Sequence, residues 1–90
     1  MSFADADAAT FFAGGRVKRF ANIAGVAQRK LQQIDSAALL EALRAPPGNR
    51  LEALEGDRKG QHSIRINDQW RICFVWKTDG AHAVEIVDCH

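Results

Sequence analysis

The run Pro46-Pro47-Gly48-Asn49 is the strongest break in this chain, and it separates two kinds of hydrophobic pattern. Two consecutive prolines remove two backbone donors and push the residue before each out of the helical region, so a helix arriving there must end. Before the break the apolar residues recur at helical spacing, and after it they alternate. A chain of 90 residues divided in this way has room for one domain, helices first and an antiparallel meander second, which is an α+β arrangement. A domain of this size buries only about 60–65% of its unfolded surface, so it is expected to be marginal alone and to lean on a partner.

In the first half, residues 5–13 predict a short helix started by Asp5 or Asp7 and stopped by Gly14-Gly15. From Asn22 to Ile34 the pattern is stronger: Asn22 can cap, and Ile23, Val26, Ala27, Leu31 and Ile34 share a face. Asp35-Ser36 punctuates it, and a further helix is expected over 37–43 with Leu39, Leu40 and Leu43 inward. In the second half, Leu51 and Leu54 mark one short strand, and Gly56-Asp57-Arg58-Lys59-Gly60 reads as a charged loop. Along 62–67, Ile64 and Ile66 point one way and Ser63, Arg65 and Asn67 the other. Along 70–77, Trp70, Ile72, Phe74 and Trp76 oppose Arg71, Cys73, Val75 and Lys77. Asp79-Gly80 signals a hairpin leading into a last strand over 83–89.

Charge then narrows the possible partners. Twelve basic residues against 11 acidic ones leave a formal net charge of +1, which excludes a polybasic, histone-like binder and confines any nucleic-acid contact to a local patch. No apolar run approaches the roughly 20 residues that cross a bilayer, and Asp5 and Asp7 stand where a signal peptide needs a basic start, so the cytosol and no membrane partner are expected. Cys73 and Cys89 do not make a metal framework, and no cofactor is expected. In a reducing compartment they are free thiols.

The sharpest chemical signal comes from strand register. Pairing Ile64 with Ile72 places Arg65 directly opposite Arg71 on the other face. Like charges across a strand pair repel, and an anion between them reverses the sign. Both side chains fanning into water remains the plainer reading. A two-residue turn at Asp79-Gly80 brings Asp88 opposite Arg71, and a bulge brings Cys89 there instead. In either register His90 ends the strand beside the arginines. An arginine pair, a carboxylate and an imidazole are the minimal parts for phosphodiester cleavage, with an RNA 2′-OH as nucleophile.

Other positions carry weaker signals. Glu52 can act as a base or serve solubility, and Arg58 and Lys59 can touch phosphate or remain a solvated turn. Arg16, Lys18, Arg19, Arg29 and Lys30 form a local basic stretch without an acid, suited to ribosomal RNA or an acidic partner. His62, Trp70, Trp76 and Cys73 read as packing residues.

The runs Gly48–Arg58 and Gly60–Phe74, above all Ser-Ile-Arg-Ile-Asn followed by Trp-Arg-Ile, resemble the HigB branch of the RelE/ParE toxin superfamily. The ending Val84-Glu85-Ile86-Val87-Asp88 with a final His90 carries the same likeness. The resemblance implies a compact RelE-like fold with helices packed on a small antiparallel sheet. It implies metal-independent, ribosome-dependent cleavage of mRNA in the A site of the 70S ribosome, and neutralisation by a HigA-type helix-turn-helix antitoxin through which alone operator DNA is met. The family's C-terminal Asp-Tyr-His maps to Asp88, Cys89 and His90, and its sheet arginines to Arg65 and Arg71. The position of a catalytic His in some members aligns with Glu52, and Arg50, Arg58, Lys59 and Cys89 join the basic stretch as RNA or ribosome contacts. Two departures lower the positive charge and stacking capacity of such a site: Cys89 in place of Tyr, and Glu52 in place of His. A gyrase poison of ParE type and a corepressor acting only within an antitoxin complex are the competing readings of the same fold. The antitoxin is expected on the acidic N-terminus or on the stretch from Arg16 to Lys30.

Overall fold

A computed structural model describes residues 1–88. Helix α1 (Ala6–Phe12) starts where Asp5 accepts a hydrogen bond from the Ala8 amide at 2.8 Å, and the chain leaves it through Gly14 at φ 99°. Residues Lys18–Ile23 then wind as a 3-10 helix that runs into α2 (Ala24–Ser36). Asn22 lies inside that tighter stretch, so it does not cap α2 as the sequence led us to expect. Ile23 holds the cap position and makes no side-chain cap bond. Ala27, Leu31 and Ile34 of α2 are buried, as the helical spacing requires.

The helix expected over 37–43 is absent. Ala37 is extended (φ −71°, ψ 125°), and only a 3-10 turn, Leu40–Arg44, fits between it and the prolines. Too few residues remain there to nucleate and propagate an α-helix. The turn seats Leu43 in the core, whereas Leu39, expected inward, is 69% exposed.

The second half forms one antiparallel sheet in the order β1-β2-β3-β4: β1 (Glu52–Ala53), β2 (His62–Arg65), β3 (Trp70–Lys77) and β4 (Gly80–Asp88). Ile64 pairs with Ile72 and Arg65 with Arg71, the register that the alternation predicts. One sheet face closes on the helices, with Phe20, Leu31, Leu43, Ile64, Ile72 and Phe74 fully buried between the layers.

The last hairpin departs from expectation. Lys77 pairs with Gly80, so Thr78 and Asp79 make the turn, and Gly80 (φ 115°) opens the strand. The pairing then slips by one residue between Val75↔His82 and Cys73↔Glu85, around Ala83 in the left-handed region at φ 51°. Arg71 therefore faces Val87, and Asp88 faces Trp70. The N-terminal segment docks at this bulge. The Val84 amide donates to the Ser2 carbonyl (3.0 Å), the Ala4 amide to the Val84 carbonyl (2.9 Å), and the Ala83 amide to Ser2 Oγ (3.0 Å). His82 ties both ends, meeting Asp79 at 2.6 Å and Ser2 at 3.3 Å.

A left-handed alanine costs roughly 1–2 kcal/mol, which a glycine does not bear, against about 0.5–1 kcal/mol of lost chain entropy. Ala83→Gly is therefore expected to raise stability by a few tenths of a kcal/mol to about 1 kcal/mol, and Ala83→Val to lower it by about 1 kcal/mol or more. The shift of the urea midpoint at constant slope reads both.

Candidate functional site

The sheet face turned away from the helices carries the polar chemistry. Successive strand pairings align Glu52, Ser63, Cys73 and Glu85 in one row across all four strands. The adjacent row holds Arg65, Arg71 and Val87. This face is not simply solvated: Ser63 and Cys73 are buried. Arg58 reaches from the Gly56–Arg58 turn to Glu85 at 3.0 Å, anchoring that turn to the far end of the row.

Arg71 is the best-fixed cation on this face. Its Nε donates to Ser63 Oγ at 2.8 Å, and its Nη2 donates to the Arg50 carbonyl at 3.2 Å. The same Nη2 lies 2.9 Å from Glu52 Oε1. Two neutral acceptors thus orient the guanidinium, and one carboxylate, its side chain 56% exposed, pairs with it from outside. Arg65, opposite on β2, forms its own ion pair with Asp68, whose side chain is almost fully exposed. In both pairs the acid is the exposed partner, so an incoming anion can compete with it for the arginine.

The turn after the prolines sets much of this geometry. Pro47–Asn49 winds as a single 3-10 turn, and Arg50 follows at φ 47° with its carbonyl toward Arg71. Asn49 is fully buried. Its Nδ2 donates to the Leu43 carbonyl (3.1 Å), the Ala45 carbonyl (3.3 Å) and Gln33 Oε1 (3.2 Å). Its Oδ1 accepts from Lys30 Nζ at 2.5 Å. Burial, then the nearby charge of Arg65, then that of Arg29, hold the Lys30 ammonium below the usual lysine range. Sequence reasoning read Asn49 only as turn chemistry, because the Pro-Gly-Asn signal reports a bend and not what the amide meets.

The remaining expected residues distribute as follows. Glu52 sits with Arg71, whereas Asp88 does not. The one-residue slip puts Asp88 on the Trp70 side of the sheet, where its Oδ2 accepts from Gln69 Nε2 at 3.0 Å. Arg50 contributes its backbone carbonyl to the face, and Lys59 stays exposed.

The stretch from Arg16 to Lys30 does not act as one unit. Arg19 is neutralised by Asp7 (3.1 Å) and Asp5 (4.0 Å) and lies over the Phe20 ring at 4.2 Å. Arg16 and Lys18 border a cavity of about 650 Å³ with Phe11, Val17 and Ala24, while Lys30 turns to Asn49. His62 stacks on Phe74 at 6.4 Å, as a packing residue should. Cys89 and His90 lie outside the described residues.

A four-stranded antiparallel sheet with helices on one face and the paired Arg65 and Arg71 on the other defines a small α+β protein. The HigB-like toxin family, described as RelE-like toxin of type II toxin-antitoxin system HigB, matches residues 1–90, and the chain belongs to that family. It is 48% identical to Toxin HigB-1 of Vibrio cholerae over 62 residues, covering 69% of this chain and 64% of that protein. An uncharacterized protein of Haemophilus influenzae is 36% identical over 58 residues, 64% of this chain and 57% of the other. The matched stretches thus span less than two thirds of either relative's length. No helix among the described residues is long and apolar enough to cross a membrane.

Glu52 and an external anion compete for the same Arg71 edge. Glu52→Gln is expected to tighten inorganic phosphate binding about two- to fivefold, the equivalent of one exposed ion pair. Following the Arg71 Nε–H resonance through a phosphate titration measures it, and unchanged affinity would show that Glu52 does not guard this edge.

Proposed function

We propose that this chain is the toxin of a type II toxin–antitoxin module and acts as a ribosome-dependent endoribonuclease on mRNA in the A site. The observation that carries the reading is Arg71, held at Ser63 and Arg50 on an open sheet face directly across from Arg65. Family membership supports the toxin role, and the chemistry follows from what two fixed guanidinium groups do to a phosphodiester.

In this mechanism Arg65 and Arg71 hold the scissile phosphate and stabilise the charge that builds on its equatorial oxygens. The adjacent ribose 2′-OH attacks phosphorus and loses its proton to a base, while the 5′-oxygen leaves and takes a proton from an acid. The products are a 2′,3′-cyclic phosphate and a free 5′-OH. His90 supplies one proton transfer. Glu52 supplies the other, starting within contact of the Arg71 edge where the phosphate seats. The reaction needs no metal or other cofactor. Cys89 stands where the family has Tyr and contacts the RNA without stacking on it.

The ribosome delivers and orders the substrate in the cytoplasm. Exposed cations such as Arg16, Lys18, Arg29 and Lys59 make the sequence-independent contacts to RNA. A HigA-type antitoxin neutralises the toxin, and operator DNA is met only through it.

RNA end-mapping in a translating extract tests this, with naked RNA as control. Cuts inside codons that require ribosomes are expected from the unmodified protein. Arg71→Ala is expected to lower cleavage about 10²- to 10³-fold, the loss typical of one charge-stabilising donor. His90→Ala should also remove the cuts. Full cleavage by both variants would refute the assignment. Folded, antitoxin-free protein that cuts nothing would point to gyrase or to a corepressor role.

A further inference from the structure

The turn at Pro47–Asn49 organises more than Arg71. Its buried Asn49 side chain holds Lys30 of α2, and the next residue's carbonyl holds Arg71 of β3. Asn49 and Arg50 are consecutive, so Lys30 and Arg71 meet the same turn, and Arg65 of β2 pairs across the sheet with Arg71. Cations from three separate elements thus converge around one turn. Arg65 and Arg71 each have a carboxylate, Asp68 and Glu52 respectively. Lys30 has no carboxylate within ion-pair distance among the described residues, and its partner is the neutral Asn49 amide.

We infer that Lys30 and Arg65 form a second phosphate seat beside Arg71, so that this face grips two successive phosphates of one RNA strand. Arg65 is shared between the seats, which its five donors on a planar fork allow. Asn49 is the positioning residue: fully buried and fastened to the Leu43 and Ala45 carbonyls, it presents one fixed acceptor that locks the flexible lysine stem. Burial first, then the charges of Arg65 and Arg29, disfavour the Lys30 ammonium in the absence of a counter-charge. A phosphate supplies that charge together with several acceptor oxygens. The identity of the ligand as RNA rests on the function proposed above, whereas the seat itself rests on this geometry.

The experiment compares adenosine 3′,5′-bisphosphate with adenosine 3′-monophosphate by calorimetry on the full chain. The unmodified protein is expected to prefer the bisphosphate about tenfold, the value of one added charge-assisted contact. Lys30→Gln should abolish that preference while leaving monophosphate affinity within about twofold. Asn49→Ser, with circular dichroism to verify folding, should reduce the preference in part. Lys77→Gln, an exposed cation at the far end of β3, should leave it intact. The inference is overturned if the unmodified protein shows no preference or binds neither compound. It also falls if Lys30→Gln keeps the preference, or if Lys77→Gln lowers it equally. Loss of the preference specific to Lys30, in a protein that cleaves no RNA, would sustain the seat and refute the nuclease reading.

Discussion

Asn49 is a buried amide whose hydrogen bonds reach in three directions: to the chain just before it, to α2 through Gln33 and Lys30, and, through the backbone that follows, to the sheet. A buried amide left without partners costs about 1–3 kcal/mol, so this arrangement forms as a whole or not at all. The turn joins the helical half to the strand half at the point where the prolines forbid any regular element. Arg50 then takes the left-handed conformation and offers its carbonyl to Arg71. The interaction that closes the fold therefore also sets the direction of the principal cation on the functional face.

Placement on the sheet bears on the anionic ligand proposed for this face. The two arginines stand on paired strands, whose hydrogen-bonded ladder keeps their separation constant. The acids opposing them come from the hairpin loop and from the two-residue edge strand β1, where motion is cheap. Rigid cations with loosely held counter-ions exchange partners at little cost. A net charge of +1 gives no long-range attraction for nucleic acid, so in the function proposed above local preorganisation carries recognition.

Much of this was legible beforehand. Alternation with period two placed Ile64 opposite Ile72 and hence Arg65 opposite Arg71, because a slip by one residue would turn every apolar side chain of β2 outward. Asp5 capped α1 for the local reason that makes aspartate a cap anywhere. The misses share another origin. The segment carrying Leu39 has helical spacing but too short a span before the prolines, and its neighbours left that side chain outside. Asp88 was placed on the wrong face because the turn fell at Thr78-Asp79 and a residue was then inserted at Ala83. Nothing local demands that bulge. It accompanies the docking of Ser2, Phe3 and Ala4 along Val84, a contact between opposite ends of the chain.

The sequence by itself determined the order of elements, the strand pairing around Arg65 and Arg71, and the family, since each depends on short-range periodicity or on runs of residue identities. Tertiary structure alone decided which face Asp88 occupies, that Cys73 is covered although it points away from the core, and that Lys30 is held by the buried Asn49 amide. The physical reason is that these depend on what a side chain meets after the chain has doubled back. A single buried amide or a single inserted residue redirects such contacts without leaving a pattern in the neighbouring sequence.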